Sequence, residues 1–97
     1  QQSAWRDIAV VAGEQVSHAE LMDAIGAGTG GLVRSARLFD IYRPAAPAAD
    51  MKAGERSLAV RLELLDNDNT LTDERIEAAV AEVIARLGAR LGVRLRG

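Results

Sequence analysis

From Ser57 to Leu64 the chain alternates without a break, with Leu58, Val60, Leu62 and Leu64 on one side and Ser57, Ala59, Arg61 and Glu63 on the other. A period of two marks a strand with one buried face and one free face. Each aliphatic buried there contributes about 1.5–3 kcal/mol. Two earlier runs are also β-rich: RDIAVVA, residues 6 to 12, which stops at Gly13, and LVRSARLFDIYR, residues 32 to 43. In the second of these, Phe39 and Ile41 are expected to face the core, which turns Asp40 and Tyr42 the other way.

Helical periodicity takes over twice. Ser17 and Glu20 form a capping-box pair ahead of Leu21, Met22 and Ile25. Thr72 is a second N-cap, with Asp73 and Glu74 complementing the dipole, ahead of Ile76, Val80, Val83, Ile84, Leu87 and Leu91 at spacings of three and four. GAGTGG, residues 26 to 31, ends the first helix, because so many glycines forfeit backbone entropy. Gly88 or Gly92 ends the second, and VRLR, residues 93 to 96, supplies a brief last strand. PAAPAADMKAGE, residues 44 to 55, reads as a mobile loop, and DNDN, residues 66 to 69, as a turn.

The order β-α-β-β-α-β with right-handed crossovers predicts an α+β fold, the ferredoxin-like split βαβ. Its four-stranded antiparallel sheet carries both helices on one face. The other face is then open to a partner. Strand parity assigns Asp40, Tyr42, Ser57, Arg61, Glu63, Arg94 and Arg96 to it.

Size and charge narrow the picture. Ninety-seven residues fit one domain, residues 1–97, and the opening Gln-Gln suggests a piece excised from a longer protein. Twelve basic against fourteen acidic residues argue against a free-standing nucleic-acid binder, but leave room for a local basic patch. The absence of cysteine suits a reducing, cytoplasmic setting, and no apolar run is long enough for a membrane span.

Most candidate sites fail on mechanism. GAGTGG matches a dinucleotide fingerprint in letters, but a helix precedes it and a strand follows, the reverse of what a pyrophosphate site needs. DNDNTLTDE lacks the central glycine and spaced glutamate of a calcium loop. His18 has no second histidine or cysteine to complete a metal site. The carboxylate pairs lie in polar segments where nothing would raise a pKa. No catalytic residue and no metal ligand is therefore expected. Tyr42 keeps two readings: a ring packed in the core with a wet hydroxyl, or a stacking platform for an unpaired base. In the second, Asp40 accepts hydrogen bonds from a base edge, Ser57 adds a polar contact, and Arg94 or Arg96 meets phosphate or base. RNA-recognition motifs share the fold, but carry aromatics in the central strand that SLAVRLELL lacks.

RDIAVV, LFDIYR, RSLAVRLEL and NTLTDERIEAAVAEVIARL, kept in this order and spacing, resemble the ferredoxin-fold anticodon-binding domain that ends the β chain of bacterial phenylalanyl-tRNA synthetase. The resemblance implies a non-catalytic domain that grips the anticodon loop of phenylalanine tRNA. It implies a parent α2β2 tetramer whose α subunit aminoacylates with ATP and magnesium, and no cofactor in this domain. By the same resemblance Tyr42 stacks on the first anticodon base, a guanine, Asp40 and Ser57 hydrogen-bond it, and Arg96 contacts the anticodon. Ser3, Ala4 and Trp5 stand where the family usually has a proline and a basic residue, and Arg56 stands in place of a lysine. The rival reading is a ferredoxin-like regulatory module that binds a small metabolite or dimerises through its sheet. It would need glycine-flanked polar groups at the first strand–helix junction, and AGEQVS offers Gly13 and Ser17.

Overall fold

The chain is described by a computed structural model covering residues 2–46 and 48–96. Six elements follow one another: β1 (Ala4–Gly13), α1 (His18–Ile25), β2 (Val33–Tyr42), β3 (Glu55–Leu64), α2 (Asp73–Leu91) and β4 (Arg94–Leu95). The strands form one antiparallel sheet in the order β2-β3-β1-β4. This is the α+β, ferredoxin-like architecture that the alternation of periods predicts.

The local signals act as their chemistry requires. Ser17 Oγ accepts from the Glu20 backbone N–H, and the Glu20 carboxylate accepts from the Ser17 N–H, completing the capping box of α1. Thr72 Oγ1 accepts from the Arg75 N–H at the start of α2. Gly26 and Gly92 end the two helices in the left-handed conformation, at φ 72° and 67°, where a side chain would be strained. The Asp66 carboxylate accepts from the backbone of Asp68 and Asn69, which makes the DNDN segment an Asx turn.

Both helices cover the same face of the sheet. Leu58, Val60, Leu62 and Leu64 of β3 meet Leu21, Ala24 and Ile25 of α1 and Ile76, Val83 and Leu87 of α2 in one core cluster. None of the chain's aromatic residues belongs to it.

Two expectations need correction. Phe39 does not face the helices. It is the extra residue of a β-bulge in β2: Leu38 pairs with Val60 and Asp40 with Ala59, leaving Phe39 unopposed. It emerges on the open side beneath the Arg61 guanidinium, 4.9 Å from the ring centre. Of the loop expected over residues 44–55, the part from 48 to 55 is also pinned rather than loose. Met51 is 5% exposed, an isolated bridge joins Ala48 to Met51, and Arg94 donates to the Asp50 carbonyl at 2.8 Å. Pro47, within the expected loop, lies outside the described residues.

Candidate nucleic-acid interface

Side chains directly opposite each other in an antiparallel pair share a face. The register therefore lays out the open side as rows across the sheet. Tyr42, Ser57, Val11 and Arg94 form one row. Asp40, Ala59 and Ala9 form the next, and Arg96 joins it through its N–H to the Ala9 carbonyl at 2.7 Å. Arg37, Arg61 and Asp7 form a third, and Ser35, Glu63 and Trp5 a fourth. Rows are about 6.6 Å apart, two residues of strand rise.

The bulge decides which residues reach this face. Leu38 packs against the core, so unbroken alternation from it would send Asp40 and Tyr42 toward the helices. The one inserted residue reverses the parity and turns both outward. The sequence placed Asp40 and Tyr42 correctly, but by assigning Phe39 to the core, and that step was wrong.

Tyr42 is 47% exposed, with the Arg96 guanidinium 5.2 Å from its ring centre. A cation over the ring holds its orientation. Asp40, in the neighbouring row, is exposed and has no hydrogen-bond or ion-pair partner among the described residues. Between Asp40 and Arg96 lie only Ala59 and Ala9, so this part of the floor is low.

The arginines of β4 are held by carboxylates. Arg94 forks onto Glu55 with bonds of 2.7 and 2.8 Å, and Arg96 Nε donates to Asp50 at 3.0 Å. The Arg94 fork, with help from the Lys52 backbone N–H, draws the Glu55 pKa down to about 2. The hydrogen bond from Arg96 likewise lowers that of Asp50. Ser57 stands on the predicted face, but only 5% exposed. Its row neighbour Val11 is 1% exposed and, like Met51, lies outside the main core cluster. The open face is thus roofed at Ser57 and Val11, while Tyr42 in the same row stays half-exposed, and Arg94 of that row holds the Asp50 carbonyl.

At the opposite end the sequence reading placed Arg61 and Glu63 on the open face but missed Trp5 and Phe39. Trp5 is 55% and Phe39 43% exposed. Arg61 pairs with Asp7 through bonds of 2.8 and 2.9 Å while lying over Phe39. Glu63 accepts from the Ser3 and Ser35 hydroxyls, at 2.6 and 3.0 Å, and both bonds lower its pKa. The available signal for Trp5 was its parity with Asp7 and Ala9 in a strand that packs through Ile8 and Val10.

The junction that a metabolite-binding module would need is already occupied. Arg56, 8% exposed, donates to the Gly13 carbonyl and, at 2.6 Å, to the Val16 carbonyl. Ser17 is committed to its cap, and Glu14 accepts from Arg43 at 2.9 and 3.3 Å. GAGTGG joins α1 to β2, with Gly26 as the cap of α1. Among the described residues no helix is long and apolar enough to cross a membrane.

These features define a ferredoxin-like α+β domain that leaves one sheet face, aromatic and polar, free of helices. The chain belongs to the ferredoxin-fold anticodon-binding domain family, whose model matches residues 1–96. It is similar to proteins named phenylalanine–tRNA ligase beta subunit in several bacteria. That of Methylococcus capsulatus is 38% identical over 91 residues, covering 94% of this chain and 11% of the relative. That of Ralstonia nicotianae is 40% identical over 96 residues, covering 94% and 12%. That of Halalkalibacterium halodurans is 38% identical over 92 residues, covering 95% and 11%. The chain thus spans about a tenth of the length of these curated relatives.

Proposed function

We propose that this domain recognises the anticodon loop of phenylalanine tRNA by stacking an unpaired base on Tyr42, as one part of a phenylalanine–tRNA ligase β subunit. The observation that carries this reading is the half-exposed Tyr42 ring on the helix-free face, one row from the unpartnered carboxylate of Asp40. Family membership and the names of the relatives point the same way.

The chemistry follows from the rows. Stacking on the phenol ring contributes about 1–3 kcal/mol and accepts any base. Selectivity then falls to Asp40, whose carboxylate can accept from the Watson–Crick-edge N–H groups of guanine and would repel an acceptor edge. Arg96 reaches over the same ring and can exchange Asp50 for a phosphate or base oxygen, with Arg94 beside it. Ser57 joins only where the base reaches down to a nearly enclosed hydroxyl.

The near-neutral charge fits a module that takes most of its tRNA affinity from the rest of a larger cytoplasmic α2β2 enzyme. In that enzyme ATP, magnesium and aminoacylation belong to the α subunit, and no residue of this domain is assigned to them. The test is Tyr42→Ala in the full synthetase. Charging of phenylalanine tRNA should fall by about 1–3 kcal/mol in kcat/KM terms while amino-acid activation stays unchanged. Undiminished tRNA charging would refute the stacking role.

A further inference from the structure

All three aromatic residues of the chain stand exposed on the open face: Trp5 at 55%, Phe39 at 43% and Tyr42 at 47%. An aromatic ring buries more apolar surface than any aliphatic side chain, so leaving all three wet forgoes stability the fold had within reach. Tyr42 is accounted for by the anticodon-loop reading. Trp5 lies three rows away, about 20 Å along the strands. Trp5, Arg6, Asp7, Ser35, Arg37 and Arg61 line a shallow concavity of about 610 Å³ there.

The charges around this concavity point to a nucleotide. Asp7 is neutralised by Arg61, and Glu63 is bound by two serine hydroxyls. Arg37, in contrast, is exposed and has no hydrogen-bond or ion-pair partner among the described residues. The carboxylates are spoken for while one guanidinium is free, so an anion is favoured and an acidic protein loop gains only one contact. The Arg61 plane over Phe39 continues a path of flat surfaces from Tyr42 toward Trp5 on the same side of the sheet.

We propose that Trp5 and Arg37 form a second nucleotide platform. The indole stacks on a second unpaired base of the same loop, several nucleotides from the one held at Tyr42, and Arg37 takes its phosphate. This rests on the anticodon-loop reading of the Tyr42 end.

Trp5 is the only tryptophan, so its emission reports this platform directly. The 97-residue chain closes its own core and serves as the test protein. Titrating it with an RNA hairpin whose seven-base loop presents a guanine at the first anticodon position should quench Trp5. The quench should saturate with the binding measured independently by anisotropy of the labelled hairpin. Trp5→Leu should weaken the hairpin by at least about fivefold without moving the thermal midpoint. Arg37→Ala should reduce the slope of log K against log salt by about 0.7. Both variants should keep the preference for guanine over adenine, and Asp40→Ala should lose that preference while still quenching Trp5. Hairpin binding with unchanged Trp5 emission and unchanged affinity in Trp5→Leu and Arg37→Ala overturns the platform and leaves the Tyr42 reading standing. Absence of hairpin binding up to about millimolar RNA overturns both. If Trp5→Leu spares the RNA and instead lowers assembly of the full synthetase, the concavity is a protein interface and the nucleotide assignment is wrong.

Discussion

β3 shows two unlike surfaces built from one eight-residue run. Leu58, Val60, Leu62 and Leu64 are at most 2% exposed beneath the helices, while Arg61 and Glu63, between them, carry polar contacts on the far side. The helix side holds the fold together by burial. The other side carries Arg61 and Glu63, beside the rings of β1 and β2 and the Asp40 carboxylate of β2. Recognition and stability are thus written in alternate residues of the same strand, and each should be alterable without the other.

The largest test of that separation is Leu62→Ala. A fully enclosed leucine in the middle of the central strand should cost about 2–5 kcal/mol, from lost transfer energy plus the cavity left behind. Urea unfolding measures it. Tyr42→Ala, on the other face, should stay within about 0.5 kcal/mol in the same experiment. Comparable losses in the two variants would mean that the open face helps hold the fold.

A smaller effect is expected at Arg56, where a charged residue occupies the helix side. It lies opposite Ala12 in the register, nearly enclosed, with its guanidinium on two backbone carbonyls of the β1–α1 turn. Arg56→Ala strips both carbonyls of a charged donor and should destabilise by about 2–3 kcal/mol. Arg56→Lys should recover only part, since an ammonium cannot reproduce the two-pronged fork. Affinity for an anticodon hairpin should be unaltered by either change. A loss of RNA affinity at full stability would move Arg56 from the fold to the interface.

Arg56 also shows where the sequence stopped being legible. The resemblance sets it where the family commonly has a lysine and suggests nothing about burial, because its two acceptors come from a turn some forty residues away. Alternation over residues 57–64 and both helix stripes were readable because period and burial coincide there. β2 was not, because one inserted residue at Phe39 flips every side chain beyond it, and a bulge leaves no periodic trace. Tyr42 and Asp40 were found because their chemistry is unusual in an aromatic-poor chain. Trp5 was passed over because its strand was read as beginning at Arg6, one residue too late to give the indole a parity. Asp50 could not be seen from the sequence at all: only the fold brings it to Arg96, 46 residues away.

The finest distinction lies within the open face, between the Tyr42 end, roofed at Ser57, and the bare Trp5 end. What fastens the roof is the Arg94–Glu55 and Arg96–Asp50 pair of contacts. Glu55 ionises at about 2 in the fold instead of 4.5. A depressed carboxylate pKa stabilises the folded arrangement above the unfolded value and loses that contribution as pH falls toward the folded one. The clasp should therefore be intact at neutral pH and weaken between about pH 4.5 and 2. The effect on global stability should be small, because the Arg94 side of the pair stays open to solvent. Carbon-detected NMR of the Glu55 carboxyl should give a midpoint near 2, with the Met51 methyl shifting in step, while the Trp5 indole signal stays still. Glu55→Gln should loosen Met51 at neutral pH and abolish its titration. A Glu55 midpoint near 4.5 would mean the clasp is open in solution, and Ser57 would then be as accessible to a base as Asp40.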